Sequence, residues 1–402
     1  MGAQACSLDR EQDGRRRTRA LDLGGGAGGG DEGFEAATWP KGASAASKGH
    51  EYWHDKMKMS SASQAIFDGA QSGDTRQVLN ALNAHGDPNC VNFTGYTSLM
   101  LAVGGGHREV VALLLQAGGD PNYNLAGLTA LMIAAASGQV DVARMLINCG
   151  ASASVVDQQR GWTALHRCAA RGHGEVAGLL LQAGASVDAG DWGGKTPLLL
   201  AVEGGHVEVA RCLLCAGASL ALADKSGETA LAKAVVHSHQ ACLDLLLKAG
   251  APVNAVNKNT GDAPLLLAVR AGSEQFARRL LQFKSNVNLP NQRRETPLLV
   301  AAAAGLDKLA HMLLIAGADA TCQDLDGQTA LMRAASAGHT QLCILVLDFG
   351  ANPSSASSVD QETALTLAAR HGHTDAYNAL VKAGGRVAAL ETQQRQARAR
   401  VA

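Results

Sequence analysis

The sequence predicts an all-α solenoid, a row of small helical units with no single globular core. The first observation behind that expectation is a period. A Thr-x-Leu signal, or a close relative, returns at Thr97, Thr129, Thr163, Thr196, Thr229, Ala263, Thr296, Thr329 and Thr363. The intervals are 32, 34, 33, 33, 34, 33, 33 and 34 residues. Spacing this regular marks one supersecondary unit stacked many times. The second observation is apolar spacing inside each unit: Leu165 with Ala169, and Val176 with Leu180, keep the i, i+4 interval of one buried helix face. The third is Gly and Pro punctuation that falls in phase with the period.

Repeat four shows why each element forms. Thr163 stands where a first helix starts, because its hydroxyl can accept bonds from free backbone N–H groups. Gly172 falls where that helix stops and the chain reverses, and Gly184 ends the second helix, both as left-handed caps. Pro197, Pro264 and Pro297 follow the start signal directly, at the helical position that loses nothing without an N–H.

Gly161-Trp162-Thr163-Ala164-Leu165-His166, Ala169-Ala170-Arg171-Gly172-His173 and Leu179-Leu180-Leu181-Gln182-Ala183-Gly184-Ala185 together resemble the ankyrin repeat, whose pattern is G-x-T-P-L-H, A-A-x-x-G-H and L-L-x-x-G-A-D. Residues 66–89 fit the same period without the start signal, as an N-terminal cap, which makes about ten repeats between residues 63 and 385. The resemblance implies helix–turn–helix units joined by β-hairpin fingers in a curved stack. It also implies a protein partner lying across the fingers and the inner helices.

The departures carry information. Only His166 fills the family's His position; Met100, Met132, Leu199, Ala232, Leu266, Leu299, Met332 and Thr366 stand there elsewhere, so apolar packing is expected in place of polar bonding. Arg294 and Gln361 replace a hairpin Gly, so their fingers are expected to take a different turn. Repeats four, seven and ten carry one extra residue, expected at the fingertip. Repeats seven and eight gather the most departures (Ala263, Phe283-Lys284-Ser285, Arg294) and are expected to be the weak link.

Residues 1–62 form an expected flexible, low-complexity tail, glycine-rich from Gly24 to Gly30, and residues 386–402 a short C-terminal tail. Met1-Gly2-Ala3-Gln4-Ala5-Cys6-Ser7 resembles an acylation start, with Gly2 and Cys6 as the candidate lipid sites and Arg15, Arg16, Arg17 and Arg19 as an electrostatic aid. His50-Glu51-Tyr52-Trp53-His54 fits the zinc-protease spelling, but its glycine- and alanine-rich setting supplies no helix, third ligand or cleft. The periodic His107, His173, His206, His239, His339 and His373 each sit alone near a helix–helix turn, which reads as structural. Cys212-x-x-Cys215 lacks a partner pair. No catalytic residue, cofactor or metal is expected.

Net charge is −1, with nothing to steer the chain toward nucleic acid. No run of 18 apolar residues and no apolar secretory start is present, and nine cysteines without framework spacing read as reduced thiols. The expectation is therefore a monomeric, non-enzymatic scaffold or adaptor in the cytoplasm, and in the nucleus as well. The alternatives are an acylated, membrane-tethered scaffold and a regulator of a transcription factor or of a ubiquitin-ligase substrate.

Five of the ten aromatics in the repeats fall in fingers two to five: Phe93, Tyr96, Tyr123, Trp162 and Trp192. The residue before the start signal runs Tyr96, Leu128, Trp162, Lys195, Glu228, Asp262, Glu295, Gln328 and Glu362. An apolar partner segment is expected over repeats two to five and a basic one over six to ten. Asn254 and Asn288 also resemble the finger asparagines modified by the oxygen-sensing asparaginyl hydroxylase.

Overall fold

The computed structural model of the protein describes residues 60–384. Gly2, Cys6, the His50–His54 motif and residues 386–402 lie outside these residues. Ten inner helices run from Ser61–Ser72 to Ala364–Arg370, each followed by an outer helix; the last helical stretch covers 374–384. Helical structure thus starts at Ser61, two residues before position 63.

Capping explains where the inner helices begin. The Thr97, Thr129, Thr163, Thr196, Thr229, Thr296, Thr329 and Thr363 hydroxyls each accept the backbone N–H three residues on. Ala263 has no such bond, and Pro264 at the first helical position removes one of the donors that would need it. Each inner helix ends in a tight reversal. Gly106, Gly138, Gly172, Gly205, Gly272, Gly305, Gly338 and Gly372 all take positive φ there, and Ser238 does so at 59°.

The stack closes because small side chains lie where helices meet. Ala102, Ala134, Cys168, Ala201, Ala234, Ala268, Ala301, Ala334 and Ala368, all five residues after the start signal, are fully buried. Leu114, Leu146, Leu180, Leu213, Leu246, Leu280 and Leu313 fill the outer-helix side of the same continuous core. Burial pushes the Cys168 and Cys343 thiols up to about 12, so these cysteines act as small apolar fillers.

At the family's His position the apolar substitutes Met100, Met132, Leu199, Leu266, Leu299 and Met332 are buried, as expected. His166 is buried too, with Nδ1 accepting the Thr163 backbone N–H at 3.2 Å and Nε2 donating to the Lys195 carbonyl of the next repeat at 3.1 Å. The periodic histidines supply a recurring polar stitch between repeats. Nε2 of His107, His173, His206, His239 and His373 donates to the carbonyls of Gln71, Ala136, Ala170, Glu203 and Ser336 in the preceding unit.

One local expectation is overturned. Arg294 and Gln361 do not change the turn of their fingers; they adopt the left-handed conformation at φ 58° and 53°. The finger's own bonds impose it. Arg294 donates its backbone N–H to the Asn291 carbonyl at 2.9 Å, as Gly194 does to Asp191. The extra residue of repeats four, seven and ten does sit at the fingertip. Asp157, Asn257 and Ser357 close on Trp162, Asp262 and Glu362, five residues on, where Asp191, Asp224 and Asn291 close four residues on.

Candidate finger and inner-helix binding surface

A finger is a short loop with few apolar contacts, so its shape rests on one polar side chain. Asn92 Oδ1 accepts the backbone N–H groups of Thr94 and Tyr96 at 3.0 and 2.9 Å. Asp191, Asn291 and Asp324 hold their own fingers in the same way. Finger three has Leu125 at that position and uses another device. Ala126 (φ 50°) and Gly127 (φ 83°) make a two-residue turn that joins the pairs Asn124↔Thr129 and Leu125↔Leu128. Backbone bonds then tie finger to finger: Trp192 to Arg160, Lys225 to Gly193, Gln292 to Thr260, Leu325 to Arg293 and Ser358 to Asp326.

The sequence-predicted aromatics separate into two kinds. Phe93 is 89% exposed and Trp192 56% exposed, and the Trp192 ring lies over Gly161 of the finger before it. Tyr96, Tyr123, Leu128 and Trp162 are half-buried and pack on the core. Tyr123 donates its hydroxyl to the Gly95 carbonyl at 3.1 Å. Trp162 is held harder: its indole N–H donates to Asp191 Oδ2 at 2.9 Å, with Arg160 and Arg167 over the ring at 5.0 and 5.7 Å.

The charged members of the row are engaged in pairs. Lys195 Nζ meets Glu203 at 2.8 Å. Glu228 and Asp224 meet Lys233 at 3.1 and 3.0 Å, with Glu203 at 3.7 Å. Arg270 bridges Asp262 and Glu295 at 3.5 and 2.8 Å. Arg333 pairs with Asp324 and reaches Glu295 at 3.7 Å, and Arg370 meets Glu362 at 2.8 Å. The acids that were expected to meet a basic partner are therefore matched within the chain.

Protonation follows from these contacts. Burial alone would raise the Asp157 carboxyl, but the Arg160 backbone N–H and the Arg167 guanidinium outweigh it and hold it below the usual range. Asp224 is likewise held low against its burial, by the Glu228 N–H and Lys233, and Glu203 by Lys195 and Lys233. Burial would lower Lys233, yet Asp224, Glu228 and Glu203 raise it. Sequence reasoning missed the inner-helix half of this ladder. The signal was present: Arg167, Lys233 and Arg333 sit four residues after the start signal, and Glu203, Arg270 and Arg370 seven after it. Those two positions share a helix face.

Asn254 and Asn288 serve in the joints between repeats. Asn254 Oδ1 accepts the Asn286 backbone N–H at 2.8 Å. Asn288 accepts the Asp319 N–H at 2.9 Å and donates to the Gly317 carbonyl at 3.2 Å. Asn89 and Asn122 make the same pair of bonds four or more repeats away from either candidate modification site. Among the described residues no group of three His, Cys, Asp or Glu is placed to hold a metal ion, and no helix is long and apolar enough to cross a membrane.

A family model described as ankyrin repeats (3 copies) matches the chain in overlapping segments from residue 66 to residue 389. Among solved structures, the chain is similar to the ankyrin repeat domain of Bcl-3, described as a unique member of the IkappaB protein family. The two share 31% identity with a TM-score of 0.52, over 56% of this chain and 100% of that one. A search of curated proteins gave no match.

Proposed function

Because the chain belongs to the ankyrin-repeat family, we propose that it is a non-enzymatic scaffold or adaptor that binds a protein partner across its fingers and inner helices. The observation that carries this reading is the pair of exposed rings, Phe93 and Trp192, on fingers whose backbones are tied down by hydrogen bonds. An exposed ring on a rigid support costs little ordering on binding, and aromatic side chains dominate interface energies. Trp162 and Tyr123 give up their polar atoms to neighbouring fingers and act here as supports. The protein acts as a monomer in the cytoplasm and nucleus. The likeness to an ankyrin domain of the IkappaB protein family supports a regulator of a partner protein as the second reading.

Proximity labelling in living cells, with the full chain beside Phe93→Ala/Trp192→Ala, tests the reading. A set of proteins labelled by the parent and lost in the variant is expected, with the melting temperature unchanged within a few degrees. Identical labelling by both chains would remove the exposed rings from the binding surface.

A further inference from the structure

Among the described residues, four cations at one row of fingertips stand outside the charge ladder. Lys225, Lys258, Arg293 and Arg294 are exposed at the tips of fingers six, seven and eight, and their side chains meet no acid. Every acid at the base of these fingers is taken by Lys233, Arg270 or Arg333. The free charge on this stretch is positive, the reverse of what the row of Glu228, Asp262 and Glu295 suggests in the sequence.

Its geometry is fixed by bonds between fingers. Lys225 N–H donates to the Gly193 carbonyl, and Gln292 donates its backbone N–H to Thr260 and its side-chain amide to the Lys258 carbonyl. Leu325 N–H donates to the Arg293 carbonyl, so the cationic row is held between two exposed apolar side chains, Trp192 and Leu325. Arg270, Arg293, Glu295 and Arg333, with Val300, Ala303 and Ala304, line a hollow of about 320 Å³.

We propose that the fingertips of repeats six to eight and the adjoining arginine-lined hollow form a docking strip for an extended acidic protein segment. The proposal rests on the scaffold reading and names the chemistry of the partner. Charge complementarity is one part of the argument: carboxylates along the segment meet Lys225, Lys258 and Arg294. The apolar ends are the other. Trp192, Leu325 and the apolar lining of the hollow offer burial to apolar side chains set among the acids, which a phosphate polymer does not possess. The net charge of −1 supplies no wider positive field to hold a continuous phosphate backbone. Beyond Leu325 the sign changes at the exposed Asp326, which sets the end of the strip.

The test uses the full chain and a short synthetic peptide of aspartates and glutamates interrupted by leucines. Its Asn/Gln counterpart, a single-stranded oligonucleotide of equal charge and phosphatidylserine vesicles run beside it. The acidic peptide should bind, the amide peptide should not, and affinity should fall as salt rises. Lys225→Glu/Lys258→Glu/Arg293→Glu should weaken binding by about tenfold or more, as loss of several charge contacts does. Lys308→Glu changes an exposed cation on the outer helices, outside the strip, and should leave binding unchanged. Equal loss with Lys308→Glu overturns the proposal, as does tighter binding of the oligonucleotide or the vesicles than of the peptide. Circular-dichroism melting of each variant separates lost binding from lost fold. If the triple variant keeps its proximity partners while Phe93→Ala/Trp192→Ala loses them, the acidic strip fails and the scaffold reading stands.

Discussion

Repeats four and five and repeats seven and eight have the same fold but hold it by different means. In repeat four, Thr163 and His166 form a reciprocal capping box, and Gly161, Gly172 and Gly184 occupy the positive-φ positions. His173 and His206 each bond back to the preceding unit. Repeats seven and eight lack part of this. Ala263 gives no cap, and Lys284 and Arg294 stand at φ 61° and 58°. Ser273 and Leu306 replace the histidine, so that bond is missing at two successive junctions. What replaces it is ionic. Asn291, itself buried, donates to Asp262 and to Glu295, both at 3.0 Å, while Arg270 and Arg333 close on the same carboxylates. A solenoid sums local and nearest-neighbour terms, so one region can offset backbone strain with side-chain pairing while the stack stays regular.

If that account holds, the largest effect comes from Glu295. Its side chain is 13% exposed and serves Arg270, Arg333 and Asn291 together. Glu295→Ala takes one acceptor from each of Arg270, Arg333 and the buried Asn291 amide, which keep only Asp262 and Asp324 between them, and should lower unfolding free energy by about 2 kcal/mol. Glu203→Ala in the regular region removes a carboxylate that is 31% exposed, and Lys233 keeps Asp224 and Glu228. It should cost about 1 kcal/mol or less. Urea titrations of the two variants read the difference directly. Equal losses would mean that the ionic network is decoration and that repeats seven and eight are held by packing alone.

The next effect has the opposite sign. Lys284→Gly and Arg294→Gly relieve left-handed strain, each by about 1 kcal/mol, and Ala263→Thr restores a cap worth about 1 kcal/mol. Hydrogen exchange of the parent should show repeats seven and eight opening before repeats three to five. In the combined variant that order should vanish. Uniform protection in the parent would sink the comparison.

How much of this was legible in the sequence divides along one physical line. The period, the threonine caps, the glycine turns and the apolar faces are local, and the chain displays them one residue after another. The departures at Ala263, Lys284 and Arg294 were legible for the same reason, since they break local rules. What the sequence hid was pairing between units. The finger row reads as acidic beyond Lys195 because its partners, Lys233, Arg270 and Arg333, belong to inner helices and meet it only once the units stack. The two aromatic classes were hidden likewise. Trp162 and Trp192 look alike in sequence, and only the neighbouring finger decides that one ring is clamped and the other exposed.

The smallest expected effect tests the regular region by pH. His166 is buried, and burial lowers its affinity for a proton against the opposing pull of the Lys195 carbonyl. Its Nδ1 is already used as an acceptor by Thr163, so a proton placed there breaks the capping box. The unfolded chain, with a histidine near pKa 6.5, therefore takes up the proton first as the solution is acidified. Stability from this group is complete above about pH 6.5 and is lost as pH falls through that value toward the lowered folded one. His166→Met isolates the contribution, because Met100, Met132 and Met332 fill the equivalent position in other repeats with a buried, uncharged side chain. Urea midpoints of the parent should fall between about pH 7.5 and pH 5.5 by more than those of His166→Met, since the remaining histidines are common to both proteins. Parallel pH profiles would place the proton elsewhere and leave the capping box of repeat four indifferent to acid.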